Sequence, residues 1–189
     1  MKVATWFTPG LGKLARESDG VYFGGTELLA LFLEAVFASN GGKVHLVSPF
    51  VTDEVLTARR LGSWRSLTHK LFSITVVTRT AEDGVRVGQI LEAWPWRRLE
   101  LATVRKLHGK VYLLRESSGA FVGMVGSHNL TQGGLRDNIE LGVFFRGLPG
   151  NSLQAVFDRC EREVMKLAGA LDQAPVVRAY RARQARRAS

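Results

Sequence analysis

A histidine and a lysine two apart, His108 and Lys110, stand at the head of an apolar run, Val111-Tyr112-Leu113-Leu114. Residues i and i+2 of a strand share a face, so both side chains are expected to point into one site. A polar turn, Glu116-Ser117-Ser118-Gly119, leads to a second apolar run, Ala120 to Val125, which ends in Gly126-Ser127-His128-Asn129. The same rule places Ser127 and Asn129 together, and a hairpin would bring the two pairs to one end of a sheet. Splitting a phosphodiester without a metal needs a nucleophile, an acid for the leaving oxygen, and fixed cations and donors around the phosphoryl oxygens. Neutral imidazole attacks, imidazolium protonates, and both forms exist near pH 7.

His108-x-Lys110, followed by Gly126-Ser127-x-Asn129-Leu130-Thr131 and by Glu140 at the start of another apolar run, resembles the HKD motif of the phospholipase D superfamily. The layout is similar to that of members with one motif per chain, such as bacterial metal-independent endonucleases and the catalytic half of a metal-independent restriction enzyme. The resemblance implies a phospholipase D-like fold and a phosphohistidine mechanism with two histidines, one the nucleophile and one the general acid. Because the chain carries one His-x-Lys, it also implies a homodimer with the site on its two-fold axis. His108, Lys110, Asn129 and Glu140 are then the expected catalytic residues. Lys110 and Asn129 would bind the non-bridging oxygens, with Ser127 in support, and Glu140 would hydrogen-bond the other ring nitrogen of the histidine. Arg136 lies where it could reach a substrate phosphate. The chain departs from the motif at Arg115, which stands where the family has its aspartate.

These residues need a framework, and the hydropathy pattern supplies one. Thr26-Glu27 begins a helix whose body, LLALFLEAVFASN, is apolar nearly all round and so buried, with Asn40-Gly41-Gly42 ending it. Lys43 to Phe50 reads as a strand stopped by Pro49. Thr52 or Asp53 opens a second helix with Val55, Leu56, Leu61, Trp64 and Leu67 at helical spacing, and Gly62 is its weak point. Leu71 to Thr78 is a β-branched strand. A helix from about Asp83 to Ala93 follows, then Trp94-Pro95-Trp96 and a strand from Leu99 to Val104. After the hairpin come a strand from Ile139 to Phe145 and a last helix opened by Asn151-x-x-Gln154, with Leu153, Val156, Phe157, Cys160, Val164 and Leu167 on its apolar side. The alternation of strand and helix predicts an α/β fold: a mixed, mostly parallel central sheet flanked by helices. Residues 1–174 form one domain, with 1–25 an irregular entry segment, and 175–189 are a basic tail.

Composition bounds the function. The chain has 189 residues, 46% of them hydrophobic, with 26 Lys and Arg against 17 Asp and Glu and a formal charge of +9. Its isoelectric point near 10.3 favours a polyanionic partner. The basic tail, with Arg178, Arg181, Arg183, Arg186 and Arg187, is a candidate nucleic-acid-binding arm. The lone cysteine, Cys160, excludes an intramolecular disulfide, suits a reducing cytoplasm and reads as core packing. No segment reads as a signal peptide or membrane span, since the longest apolar run, Leu28 to Leu33, is far below the ~18 residues a span requires.

Other possible chemistries find less support. Gly10-Leu11-Gly12-Lys13 lacks the earlier glycine and the following hydroxyl of a phosphate loop. His45 and His69 have no neighbours at metal-ligand spacing, and no metal or cofactor is expected. His128 should face away from Ser127 and Asn129, and Gly133-Gly134 should let the backbone turn tightly beneath the site. The expected activity is a metal-independent nuclease in the cytoplasm acting on DNA ahead of RNA, in a restriction or defence system with further protein partners. The alternatives are a non-catalytic nucleic-acid-binding subunit, to which Arg115 is the pointer, and a phospholipase or phosphatidyltransferase.

Overall fold

The structure, a computed structural model, describes residues 3–4, 19–56, 72–91 and 98–169. Its strands are β1 (Val3–Ala4), β2 (Gly20–Gly24), β3 (Gly42–Val47), β4 (Phe72–Thr78), β5 (Arg98–Thr103), β6 (Lys110–Glu116), β7 (Phe121–Gly126) and β8 (Gly142–Gly147). They form one sheet in the order β1-β2-β8-β7-β6-β3-β4-β5. The helices are α1 (Glu27–Ala38), the short α2 (Asp53–Leu56), α3 (Ala81–Leu91) and α4 (Gln154–Gly169), with a π-helical turn at Gly133–Asp137.

The sheet is mixed, as expected, but not mostly parallel. β3-β4-β5 run parallel, as does the short β1-β2 pair, whereas β2-β8, β8-β7, β7-β6 and β6-β3 are antiparallel. Four of the seven pairings are therefore antiparallel. The strand–helix alternation accounts only for the crossovers among β3, β4 and β5, while the HxK strand enters beside β3 instead of extending that series. A second difference concerns residues 1–25, where β2 is a full strand paired with β8 from Gly20–Arg146 to Gly24–Gly142. Its apolar stretch, Val21-Tyr22-Phe23, is too short and too closely framed by glycine to show a period of its own.

α1 is buried for the reason its sequence implies. Leu28, Leu29, Leu31, Phe32, Leu33 and Val36 are all inaccessible, and they form one core with the inward residues of β3, β4, β6 and β7. Burying a Leu or Phe side chain is worth ~1.5–3 kcal/mol, so this face anchors the sheet. α4 covers the opposite face with Phe157 and Val164, which pack with Val47, Val77, Leu113, Phe121 and Phe145. Along β6 the alternation is complete: Tyr112 and Leu114 go to the α1 core and Leu113 to the α4 core.

Two helix starts are capped, the second by the Asn151-x-x-Gln154 pair that the sequence marks. Asp83 N–H donates to Thr80 Oγ1 at 3.1 Å and Thr80 Oγ1 donates to Asp83 Oδ2 at 2.9 Å ahead of α3. Before α4, Leu153 N–H donates to Asn151 Oδ1 at 2.9 Å, and Gly150 N–H donates to Gln154 Oε1 at 2.6 Å. Both arrangements satisfy amides that the helix leaves open. The hairpin between β6 and β7 closes through Gly119, whose φ of +89° is left-handed, with Gly119 N–H donating to Glu116 O at 2.9 Å. The continuation of the second expected helix through Leu61, Trp64 and Leu67, together with His69, Trp94 to Trp96, Gly10 to Lys13 and the tail 175–189, lies outside the described residues. Among the described residues no helix is long and apolar enough to cross a membrane.

Candidate active site

Antiparallel register places Lys110 opposite Gly126, Gly126 opposite Gly142, and Gly142 opposite Gly24. One row thus crosses four strands, with a lysine at one end and no side chain at the next three positions. His128 fills the vacated space. A Cβ on Gly126 would sit 3.0 Å from His128 Nδ1, and one on Gly142 would sit 3.1 Å from its Cε1. The imidazole is fully buried, and its Nε2 lies 2.7 Å from Gly25 O. Burial pushes its pKa below the ordinary histidine range. The ring is therefore neutral at pH 7, with Nε2–H donating and Nδ1 carrying the free lone pair. His128 thus ties the end of β7 to the residue that precedes α1.

Glu140 is buried beside this loop. Ser127 Oγ donates to Glu140 Oε2, and Asn138 Nδ2 donates to Glu140 Oε1 at 3.1 Å. Ser127 also exchanges bonds with the Leu141 backbone, donating from its amide to Leu141 O at 2.9 Å and accepting Leu141 N–H at its hydroxyl at 3.0 Å. Thr26 Oγ1 donates to Asn138 O at 2.7 Å, which brings the N-terminus of α1 into the same network. The expected bond from Glu140 to a ring nitrogen of His108 is not formed within one chain; the carboxylate oxygens accept from Ser127 and Asn138 instead.

His108 lies just before β6 and is exposed, and its imidazole makes no hydrogen bond with the described residues. Lys110 turns back, its Nζ donating to His108 O at 2.9 Å. Lys110 alternates with Tyr112 and Leu114 of the α1 side, so the common face expected for the pair is not formed: His108 precedes the first residue of β6 and takes the other side. It lines an open groove of about 980 Å³ on the α4 side, together with Val111, Val125, Val156 and Val164 and a basic rim of Lys106, Arg159 and Arg162. Cys160 also lines this groove, half-buried, and burial raises its thiol pKa. It packs against the α4 core, as its helical position implied.

Asn129 stands at the exit of β7 with its Oδ1 buried and unpartnered. The backbone around it is tightly held. A Cβ on Gly134 would fall 2.2 Å from Asn129 O, so the backbone passes directly against the asparagine there, while Gly133 faces the Asn138 side chain. Arg136, in the π-helical turn, is exposed. Two further residues fix the site without a motif to mark them. Tyr112 is fully buried and donates its hydroxyl to His128 O at 2.7 Å, and burial raises its pKa. Ser48, also fully buried, accepts Leu130 N–H at 2.9 Å. Tyr112 was legible only as the next same-face residue after Lys110. Nothing in the sequence around Ser48 pointed to Leu130, since that contact joins β3 to the far end of β7.

Arg115, in the motif aspartate's place, is integrated into the fold. Its guanidinium lies 4.6 Å from the centroid of the Phe157 ring and bonds Asp158 and Glu161 of α4, with Arg115 Nη2 at 2.8 Å from Glu161 Oε2. Glu161 also accepts from His45 Nε2 at 3.3 Å. The hydrogen bonds from His45 and Arg115 hold the Glu161 carboxyl down at about 2. The reversed charge on β6 is thus balanced by two acids on α4, at the opposite end of β6 from Lys110. His45 sits in a buried strand as expected. Among the described residues no cluster of three or more His, Cys, Asp or Glu could hold a metal ion.

No sequence-family model matches the chain, and neither does any curated protein sequence. Solved structures do match. A phospholipase D family member, Nuc from Salmonella typhimurium, superposes with a TM-score of 0.55 at 14% identity over 79% of this chain and 94% of its own. NucT from Helicobacter pylori gives 0.56 at 9% identity over 82% and 98%. Polyphosphate kinase from Porphyromonas gingivalis gives 0.55 at 12% identity, with 84% of this chain matching 25% of the kinase.

Proposed function

Starting from a chain with the phospholipase D fold and a single His-x-Lys, we propose a phosphodiesterase that cleaves nucleic acid, DNA ahead of RNA, without a metal ion. The observation that carries this reading is the register of β6 against β7. It sets Lys110 opposite Gly126, so that His108 and Lys110 enter one end of the sheet where Ser127 and Asn129 leave it. His108 is exposed and makes no hydrogen bond among the described residues, which leaves its imidazole open to an incoming phosphate. Its nitrogen lone pair attacks phosphorus, the P–O bond to the leaving group breaks, and a second imidazolium supplies that oxygen's proton. Water, deprotonated by the second imidazole, then displaces the phosphoryl group from His108. Lys110 and Asn129 hold the non-bridging oxygens in both steps. Glu140 acts through Ser127 and Asn138, holding the loop in register, and Arg136 is a candidate contact to a flanking phosphate.

The second histidine comes from another copy of the chain. Ile139, 97% exposed, and Leu141, 48% exposed, bracket the buried Glu140 and provide an apolar surface for such a dimer beside the site. The charge of +9 supports a polyanionic substrate. The lone Cys160 suits the cytoplasm, and the reading fits a restriction or defence system with further protein partners. The non-catalytic alternative leaned on Arg115, and the Asp158 and Glu161 bonds account for that residue structurally.

The test is cleavage of labelled single- and double-stranded DNA in excess EDTA, with His108→Ala purified in parallel and the oligomeric state measured by light scattering. Cleavage by a dimer that survives chelation and disappears in the variant is expected. Binding without cleavage by the unmodified protein would replace this reading with a binding subunit, and a monomer that cleaves would refute the shared site.

A further inference from the structure

We propose that Phe50 and Arg79 form a stacking platform for an unpaired nucleobase next to the scissile phosphate. The inference rests on the nucleic-acid reading above and names the form of its substrate: a strand whose bases are free to stack.

β3 ends at Val47, which pairs with Val111, so Ser48 leaves the sheet level with Lys110. The five residues from Ser48 to Thr52 are held firmly. Ser48 N–H donates to Val77 O at 3.0 Å, and the Ser48 hydroxyl donates to Phe50 O at 2.6 Å while accepting Leu130 N–H at 2.9 Å. Val51 pairs with Leu130 in a parallel bridge, Thr52 N–H donates to Leu130 O at 3.1 Å, and the Arg86 guanidinium donates to Val51 O. One buried hydroxyl therefore locks the Phe50 carbonyl to the residue that follows Asn129.

On this rigid segment Ser48 and Val51 are buried, yet the Phe50 ring between them is 48% exposed. An exposed hydrophobic side chain is by itself ordinary. Here a second group accompanies it: Arg79, from the residue after β4, places its guanidinium 5.8 Å from the ring centroid. The pair lies at the end of β3 and β4 that flanks the HxK end of β6. Strands without base pairing are bound by aromatic rings and arginine planes that stack on the bases while cations follow the phosphates. A duplex keeps its bases inside the helix and offers no face to a fixed ring. Holding the backbone that carries the ring lowers the ordering cost of binding.

The test compares two strands of equal length and charge, a short oligothymidine and a base-free strand of abasic units, by fluorescence anisotropy in the His108→Ala background so that neither is cut. The parent should bind the base-bearing strand about tenfold more tightly. Phe50→Ala should bring that ratio close to one while base-free binding persists, and Phe50→Trp should preserve it. Equal binding of both strands by the parent, or a ratio untouched in Phe50→Ala, would overturn the platform and leave the nucleic-acid reading standing. Failure of the parent to bind either strand would overturn the platform, and failure to bind duplex DNA as well would remove the nucleic-acid reading with it. If Phe50→Ala instead dissociates a dimer in light scattering and leaves the ratio intact, the ring belongs to a contact between copies and the platform is overturned.

Discussion

Replacing Glu161 with glutamine removes a charge at the centre of the bonds joining β3, β6 and α4, and the resulting change should depend on pH in a defined way. Glu161 is 17% exposed and accepts bonds from His45 and Arg115, which hold its pKa at about 2 against an ordinary 4.5. At ~1.36 kcal/mol for each tenfold change in proton affinity, that difference corresponds to about 3 kcal/mol of folding stability at neutral pH. Residual solvent screening lowers the figure towards ~2 kcal/mol. The sign follows from the depressed value. Below 4.5 the unfolded chain takes up the proton while the folded chain resists it, so this contribution is complete above pH 4.5, shrinks as pH falls towards 2, and vanishes below that. Urea unfolding of the parent and Glu161→Gln at several pH values between 7 and 2.5 should show the variant weaker by about 2–3 kcal/mol at pH 7, with the two curves converging in acid. Two parallel curves, or no difference at pH 7, would refute this account of Arg115 as a residue paid for by α4.

Tyr112→Phe leaves the buried His128 carbonyl without its donor and should cost about 1–2 kcal/mol in urea unfolding. It should also lower cleavage, because the loop carrying Ser127 and Asn129 loosens. Gly134→Ala puts a Cβ against the Asn129 backbone and should cost about 1–3 kcal/mol while reducing kcat more than binding. Phe157→Ala opens the α4 core beneath Arg115 and should cost about 3–5 kcal/mol, read as a fall in the urea midpoint. His108→Ala, at an exposed side chain with no hydrogen bond among the described residues, should change stability by less than about 0.5 kcal/mol, so that its loss of cleavage reports on chemistry and not on folding.

Much of the framework was legible because it rests on local rules. An apolar helix such as α1 announces its burial, Asn151 announces a helix start, and the polar turn from Glu116 to Gly119 announces a hairpin. The direction of the sheet was not legible. Strand–helix alternation speaks only for neighbours joined by crossovers, whereas β6 pairs antiparallel with β3 across sixty-odd residues of chain. β2 was missed for the same reason: its strand character comes from β8, not from its own three apolar residues. At the site, residue types and spacing identified His108, Lys110, Ser127, Asn129 and Glu140 as candidates, but their partners depended on contacts distant in sequence.

By itself, then, the sequence determined which residues are candidates for phosphoryl chemistry, most of the helices and strands, and that the chain is strongly basic, since each follows from side-chain chemistry or from a period of two or 3.6 residues. The tertiary structure alone decided that Glu140 holds Ser127 and Asn138, that His128 is buried over a row of glycines, that Arg115 is balanced by Asp158 and Glu161, and that Ser48 ties Phe50 to Leu130. Each of these joins residues on different elements, and hydrogen-bond partners of that kind are set by strand register and helix packing, which no local pattern encodes.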